Sequence, residues 1–379
     1  MGETIVILGG GYAGIGTAHK LLKYTKPKVK ELKVVLVSST THHFWNIASV
    51  RGVLPGGFTD EEMYHSIEPG FANYDKDTFE FVLGTATGID TATNSVSVNT
   101  ADDARNITYT HLVIATGSSY PGGLPFTTVG TYEESIGALH SLQRNVESAK
   151  SIVIAGGGPT GVETAGELGY AYGDSKQITL IIEGGKPLPI LNPDVGKTAA
   201  MELERLQVKI VGGVRVVSAS PPDDQVSITL SDGQTLVADL YLPLYGMRPN
   251  SGFIPAQLLD ERGNLKLDKN LRAVGLDNVW GAGDVGDAEP KQLIYAERQA
   301  LHLADNLHAV LTGNAGSVKE LRPTVTPQVF VTVGKKKGTG QYNWFKIPSF
   351  VVSAAKGKTF FTEKASGLIA GKNIVRSSI

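Results

Sequence analysis

Residues 156–168 read Gly156-Gly157-Gly158-Pro159-Thr160-Gly161-Val162-Glu163-Thr164-Ala165-Gly166-Glu167-Leu168. A short apolar run, Ile152 to Ala155, precedes this stretch, and an apolar-periodic helix follows it. Strand, glycine turn and helix in that order are the signature of a dinucleotide-binding βαβ unit. The glycines answer separate needs: one permits the tight bend, one lets the backbone approach a pyrophosphate, one lets the helix pack close to the strand. The helix N-terminus then offers unpaired N–H groups and a positive dipole end to the phosphates. The pattern recurs at the start of the chain, where Ile5 to Leu8 leads into Gly9-Gly10-Gly11-Tyr12-Ala13-Gly14. One such turn is weak evidence, but two in strand–turn–helix context imply two dinucleotides. Two dinucleotides on one chain point to electron transfer between FAD and a nicotinamide.

The expected fold is therefore α/β, with two Rossmann-like dinucleotide-binding domains and a small α+β C-terminal domain. Residues 1–120 read as the first part of an FAD domain and 121–250 as an NADH domain, entered through the Pro121–Pro125 linker. Residues 251–312 read as the second part of the FAD domain and 313–379 as a basic C-terminal domain. A length of 379 residues suits two to three domains.

The chain has no cysteine. That excludes a structural disulfide, a cysteine-ligated metal and any mechanism in which a protein dithiol relays electrons. No metal is expected. No run of about 18 apolar residues appears, so no transmembrane helix is expected. The first strand begins by Thr4, which leaves no room for a signal peptide ahead of it. Met1-Gly2 is followed by Val6 where a myristoylation motif wants Ser or Thr. A cytoplasmic or mitochondrial location, with peripheral membrane contact, is expected. Net charge is −2 but uneven: residues 315–379 carry eleven Lys or Arg against two Asp or Glu, the rest 24 against 35. Such a basic region either meets something anionic or lies beside an acidic neighbouring domain.

In the first unit the cofactor loop is Gly9, Gly11, Tyr12, Ala13 and Gly14, with a helix from Gly14 to about Tyr24. The second strand, Leu32–Val37, ends at Ser38, where a carboxylate usually bonds the ribose; a hydroxyl bonds it less strongly. His42 and His43 read as surface residues of a polar loop. Arg51, a strong cation just downstream, reads as a pyrophosphate ligand or a partner for a carboxylate. Phe79–Leu83 and Ser95–Val98 look like small antiparallel strands. Ala115-Thr116-Gly117 ends a buried strand where the chain leaves the flavin sheet. In the second unit Gly156, Gly158, Pro159, Thr160 and Gly161 form the loop. Glu183 follows Gly161 by 22 residues, a spacing that fits bonds to the ribose 2′- and 3′-hydroxyls and repels a 2′-phosphate. NADH is thus preferred, and Lys186 keeps NADPH open. Glu163, placed on the first helical turn, either complements the helix dipole or faces nicotinamide and flavin, paired with Arg51. Glu167 lies one turn on, on the same face. Gly246 sits in the turn that closes the NADH domain. Gly283 and Asp284 end a late apolar strand, and Asp284 either bonds a ribityl hydroxyl or caps the next helix. That helix runs from about Leu293 to Leu311. Val329–Val333 reads as a strand, Lys335–Gly338 as an exposed turn and Phe350–Phe361 as an amphipathic stretch.

These motifs, in this order, resemble the two-dinucleotide-domain flavin reductases of the pyridine nucleotide-disulfide oxidoreductase fold. The absence of cysteine, Asn46–Arg51 and the tail with Lys356 and Phe361 make the chain similar to the apoptosis-inducing-factor-like, ferroptosis-suppressor-protein-like group. Type II NADH dehydrogenases are a near neighbour. The resemblance implies an NAD(P)H:quinone oxidoreductase with non-covalent FAD. It places Arg51 and Lys356 near the flavin and Glu163 at the nicotinamide–flavin region. Hydride would pass from NADH to flavin and electrons then to a quinone-type acceptor, with Phe360 or Phe361 among its contacts. The basic, aromatic-bearing tail suits an anionic membrane. The alternatives are a ferredoxin-type reductase steered by the basic tail, or an NADH-responsive flavoprotein whose tail binds a partner or nucleic acid.

Overall fold

The computed structural model describes residues 2–220, 225–372 and 374. Two parallel sheets organise it. The first has the strand order Val279–Gly281, His111–Ile114, Glu3–Leu8, Leu32–Ser38, Phe79–Leu83. The second has the order Val208–Gly212, Gln177–Ile182, Ser151–Ala155, Leu240–Pro243. Their central strands are near-continuous apolar runs because both faces are covered. Alternate side chains of Glu3–Leu8 serve the two faces. Ile5 and Ile7 pack with the helices Tyr12–Lys20 and Leu293–Leu311. Val6 and Leu8 pack with Val96, Val98 and Ile107 of a three-stranded antiparallel layer, Thr85–Asp90, Ser95–Asn99 and Ala104–Thr108. The second sheet has its own antiparallel cover, where Ile228 and Leu230 meet Val153 and Ile181.

Two expectations change here. Phe79–Leu83 is the outer parallel strand of the first sheet, not part of an antiparallel hairpin. Its Phe-Glu-Phe-Val-Leu alternation suits a half-covered edge, which sequence periodicity does not distinguish from a hairpin strand. The first helix opens at Tyr12, directly after Gly11, and passes into a wider turn at Leu21–Thr25.

The chain leaves the first sheet after Ile114 and re-enters it at Val279. Its two crossings are stitched together: Ser118–Ser119 pairs antiparallel with Arg248–Pro249. Asn250 Nδ2 donates to the Thr116 carbonyl at 2.8 Å, and Thr116 Oγ1 donates to the Asn250 carbonyl at 2.7 Å. The C-terminal region forms a three-stranded antiparallel sheet, Gln328–Val333, Lys337–Tyr342 and Phe345–Ile347. It then folds back as short helical turns through Ser349–Gly357 and Ala365–Ile369. Val331 and Phe360 are fully buried in the same apolar cluster that contains both sheets' inner faces.

Candidate functional site

The two glycine loops are copies of one geometry. Gly9 (φ +118°) and Gly156 (φ +135°) adopt backbone angles that side chains avoid, and a Cβ on either would strike the carbonyl of Ala115 or Leu244. A Cβ on Gly14 or Gly161 would strike the carbonyl of Gly9 or Gly156, so helix and strand touch only because both are glycine. At Gly11 and Gly158 nothing lies within 4 Å of where a Cβ would be. These two are the N-caps of Tyr12–Lys20 and Pro159–Tyr172; neither helix has a side-chain cap or an acidic residue in its first turn. Both helix ends therefore present free N–H groups, and the space before them suits an anion. The residues fit two pyrophosphates.

Both loops open into one cleft of about 1790 Å³, larger than the roughly 300–1,000 Å³ of an ordinary small-molecule site. Gly9, Gly11, Tyr12, Ala13, Ser38, Ala115, Thr116 and Gly117 line it on one side, and Gly156, Gly158, Pro159, Thr160, Gly161, Glu163 and Glu183 on the other. Gly283, Asp284, Lys356 and Phe361 line it too. Gly14, Gly246, Arg51 and Phe360 do not.

Asp284 accepts from Ser118 Oγ at 2.8 Å, and burial raises its carboxyl above the usual range against that bond and the charge of Lys291. Lys291 Nζ donates to the Asp284 carbonyl, and burial lowers the ammonium. Gln299 Oε1 accepts the Gly283 N–H at 2.8 Å. Ser38 lies against Gly10, and its hydroxyl donates to the Thr40 carbonyl at 2.8 Å. Part of its bonding capacity is thus spent within its own turn. Glu183 stands exposed at the strand end, with Lys186 and Arg215 also on the cleft wall.

Glu163 does not meet Arg51. It lies in the second turn of Pro159–Tyr172, not the first, and its carboxylate takes Lys356 Nζ at 2.6 and 2.9 Å. The Thr332 N–H and hydroxyl donate to the same carboxylate at 2.8 and 3.1 Å, and Lys356 also donates to the Phe330 carbonyl at 3.1 Å. Arg51 pairs instead with Glu167, one turn on: Nε to Oε2 at 2.7 Å and Nη2 to Oε1 at 2.8 Å. Its remaining donors reach the Gly357 and Lys358 carbonyls at 2.8 and 3.0 Å. Burial raises the Glu167 carboxyl, against the pull of Arg51. Arg51 is thus an inter-segment tie buried behind the cleft, away from its wall. Phe360 is buried under the Arg51 guanidinium, 4.6 Å from ring centre to charge, so of the two adjacent phenylalanines only Phe361 reaches the cleft.

His43 is not a surface residue, and His42 is half-buried. Both line the cleft; His42 stacks on Tyr132 at 3.7 Å, and His43 is fully buried against Tyr12 at 4.5 Å. Burial lowers His43 to about 4. Its Nδ1 meets the Gly10 carbonyl at 3.2 Å, so the ring faces the back of the first phosphate loop. Sequence reasoning also passed over Glu297 and Lys364, which line the same cleft. The signal was present in the stripe they share with Ile294 and Leu301, and with Phe361 and Leu368, at spacings of three and four. Among the described residues no group of three metal-ligating side chains gathers, and no helix is long and apolar enough to cross a membrane.

The pyridine nucleotide-disulphide oxidoreductase profile matches residues 3–300. Oxidoreductase ptaL of Pestalotiopsis fici is 41% identical, over 97% of this chain and 98% of its own length. Ferroptosis suppressor protein 1 of Xenopus laevis is 29% identical, over 95% and 94%. The sulfide:quinone oxidoreductase of Aquifex aeolicus superposes with a TM-score of 0.77 at 18% identity, over 99% of this chain and 93% of that one.

Proposed function

The chain belongs to the pyridine nucleotide-disulphide oxidoreductase family, and from that premise we propose that it is an NADH:quinone oxidoreductase. Its cofactors are FAD and NAD(P)H. FAD, when bound, supplies the two-electron chemistry, accepting a hydride from the nicotinamide and returning the electrons to an acceptor. The carrying observation is the single cleft on which both phosphate loops open and which no cysteine lines. With no thiol in the chain to relay electrons, a small acceptor that enters the same cleft takes them directly.

Gly9 to Gly14 and their helix hold the FAD pyrophosphate; Asp284, steadied by Ser118, orients a ribityl hydroxyl. Gly156 to Gly161 hold the NADH pyrophosphate, and Glu183 takes the ribose hydroxyls and disfavours a 2′-phosphate. Lys186 and Arg215 on the same wall leave NADPH as the weaker donor. Lys356 places a fixed cation at the meeting of the two sites. Glu163 and the Phe330 carbonyl hold its ammonium, so its charge is positioned before any negative charge develops beside it. Domain limits near residues 120, 250 and 312 follow from the same reading.

Quinones dissolve in membranes, and the tail suits peripheral contact with one. Trp344, Phe345 and Phe350 are 74%, 76% and 74% exposed, among the lysines counted above.

The test is stopped-flow absorbance of the yellow protein, mixed first with NADH and then with a short-chain quinone. The expected result is rapid bleaching, reversed only when quinone arrives. Bleaching that quinone leaves unreversed, or a preparation without flavin, overturns the proposal. Repeating the run with quinone in anionic vesicles reads the tail: reoxidation should slow as salt rises.

A further inference from the structure

Past the flavin loop the cleft continues between the helix Leu293–Leu311 and the returning C-terminal segment. Ile294, Glu297 and Leu301 line it from the helix, and Phe361, Lys364 and Leu368 from the segment. Four of these six side chains are apolar, one is a carboxyl and one an ammonium. The pieces are tied to one another: Lys364 Nζ lies 4.5 Å from the centre of the Phe361 ring and exerts its charge on Glu297, and Glu297 acts in turn on the phenol of Tyr12.

Glu297 differs from the two glutamates of the helix Pro159–Tyr172. Glu163 and Glu167 are each clasped by a cation at hydrogen-bond distance. No such bond or ion pair holds the carboxyl of Glu297 among the described residues, and burial raises it, with Lys364 pulling the other way. The titratable groups facing it are Lys364 from the C-terminal segment and Tyr12 from the first phosphate-loop helix; Asp284 acts on the same phenol. An untethered, half-buried carboxyl in an apolar wall is suited to carrying a proton.

The reading as a quinone reductase, on which this inference rests, leaves one proton to be supplied. NADH plus a proton plus quinone gives NAD⁺ plus hydroquinone. The hydride brings two electrons and one hydrogen, and the second hydrogen is a proton from water. We propose that the mouth formed by Ile294, Leu301, Phe361 and Leu368 takes the quinone, and that Glu297 delivers this proton to a quinone oxygen. The Glu297 O–H bond breaks as the quinone O–H bond forms, and the carboxylate is reprotonated from solvent at the Lys364 side. The apolar wall favours a quinone carrying an apolar substituent.

Glu297→Gln holoenzyme tests the delivery against two acceptors: a short-chain quinone, which needs the proton, and ferricyanide, which takes one electron and none. Expected are a loss of at least tenfold in kcat with quinone and a change within twofold with ferricyanide. In the wild type, quinone turnover should fall as pH rises and Glu297 ionises, and this limb should vanish in the variant. Glu297→Asp should keep it. Calorimetric titration with an alkyl-hydroxyquinoline, a non-reducible quinone analogue, tests the mouth separately. Ile294→Glu, at a half-exposed position, should weaken it tenfold or more. Unchanged quinone turnover in Glu297→Gln, or an equal loss with both acceptors, overturns the proton role. Unchanged analogue binding by Ile294→Glu overturns the mouth. A wild type that passes electrons to ferricyanide but to no quinone instead overturns the functional reading.

Discussion

Glu163 and Glu167 sit one turn apart on Pro159–Tyr172, and each anchors a cation from a distant part of the chain. The Arg51–Glu167 pair has both hydrogen bonds of a bidentate fork and almost no exposure. Removing one partner of such a pair strands a buried charge, at a cost of about 3–5 kcal/mol. Glu167→Ala should therefore destabilise the holoenzyme by about that much in denaturant unfolding, whereas Glu167→Leu with Arg51→Met should recover most of the loss. Recovery absent in the double variant would mean that Arg51 acts beyond this tie. Sequence spacing put both glutamates on one helix face and singled out Arg51, whereas Lys356 came only from the family resemblance. Spacing did not decide which cation meets which carboxylate. Residues at i and i+4 share a face, and only the path of the tail, whose Gly357 and Lys358 carbonyls take Arg51, separates the partners.

Among the elements, the helix Pro159–Tyr172 does two jobs, presenting its N-terminus to the cleft and its flank to the C-terminal sheet. Gly166 makes the second possible. A Cβ there would lie 2.8 Å from Val333 Cα and 2.9 Å from the Gly334 nitrogen, which are backbone atoms that cannot swing aside. Gly166→Ala should cost about 1–3 kcal/mol by overpacking and lower the thermal midpoint. The Thr332 bonds to Glu163 lie on the same strand, so the variant should also slow flavin reduction by NADH; an unchanged midpoint and rate would show that the sheet yields freely. Both phosphate loops, their strands and Leu293–Leu311 were legible, because glycine turns and helical periodicity are local signals. The edge strand Phe79–Leu83 and the burial of His43 were not, since each depends on what covers it.

On the scale of the whole molecule, the first helix and the chain's last turns are joined through His19. Its Nε2 meets the Ile369 carbonyl at 2.7 Å and its Nδ1 the Tyr74 hydroxyl at 3.0 Å, with Phe71 stacked on the ring at 4.0 Å. A carbonyl only accepts, so Nε2 carries a proton and donates; burial keeps the ring neutral above about 4, and in that form Nδ1 accepts from the Tyr74 hydroxyl. Burial lowers both His19 and His43 from 6.5 to about 4. Between those values the unfolded chain binds protons that the folded one refuses. The stability they contribute is full above pH 6.5 and is lost as pH falls through about 4. Calorimetry should find a thermal midpoint level above that range and dropping across it. His19→Gln should lower the midpoint at pH 7.5 and flatten the drop; a parallel curve would assign the acid lability elsewhere. The duplicated nucleotide units were readable from the sequence, whereas the tail's return across both was not: its contacts are long-range and its own periodicity is short.

The split of the first sheet also has a consequence in time. Its strand Val279–Gly281 is synthesised after the 164 residues that separate it from Ile114. At ordinary elongation of about 5–20 residues per second, that is roughly ten to thirty seconds. For that interval the nascent first sheet waits on the ribosome with the flank of His111–Ile114 unpaired, while the second sheet, whose strands all lie within residues 151–243, can already close. The sheet that begins the chain is the one finished later.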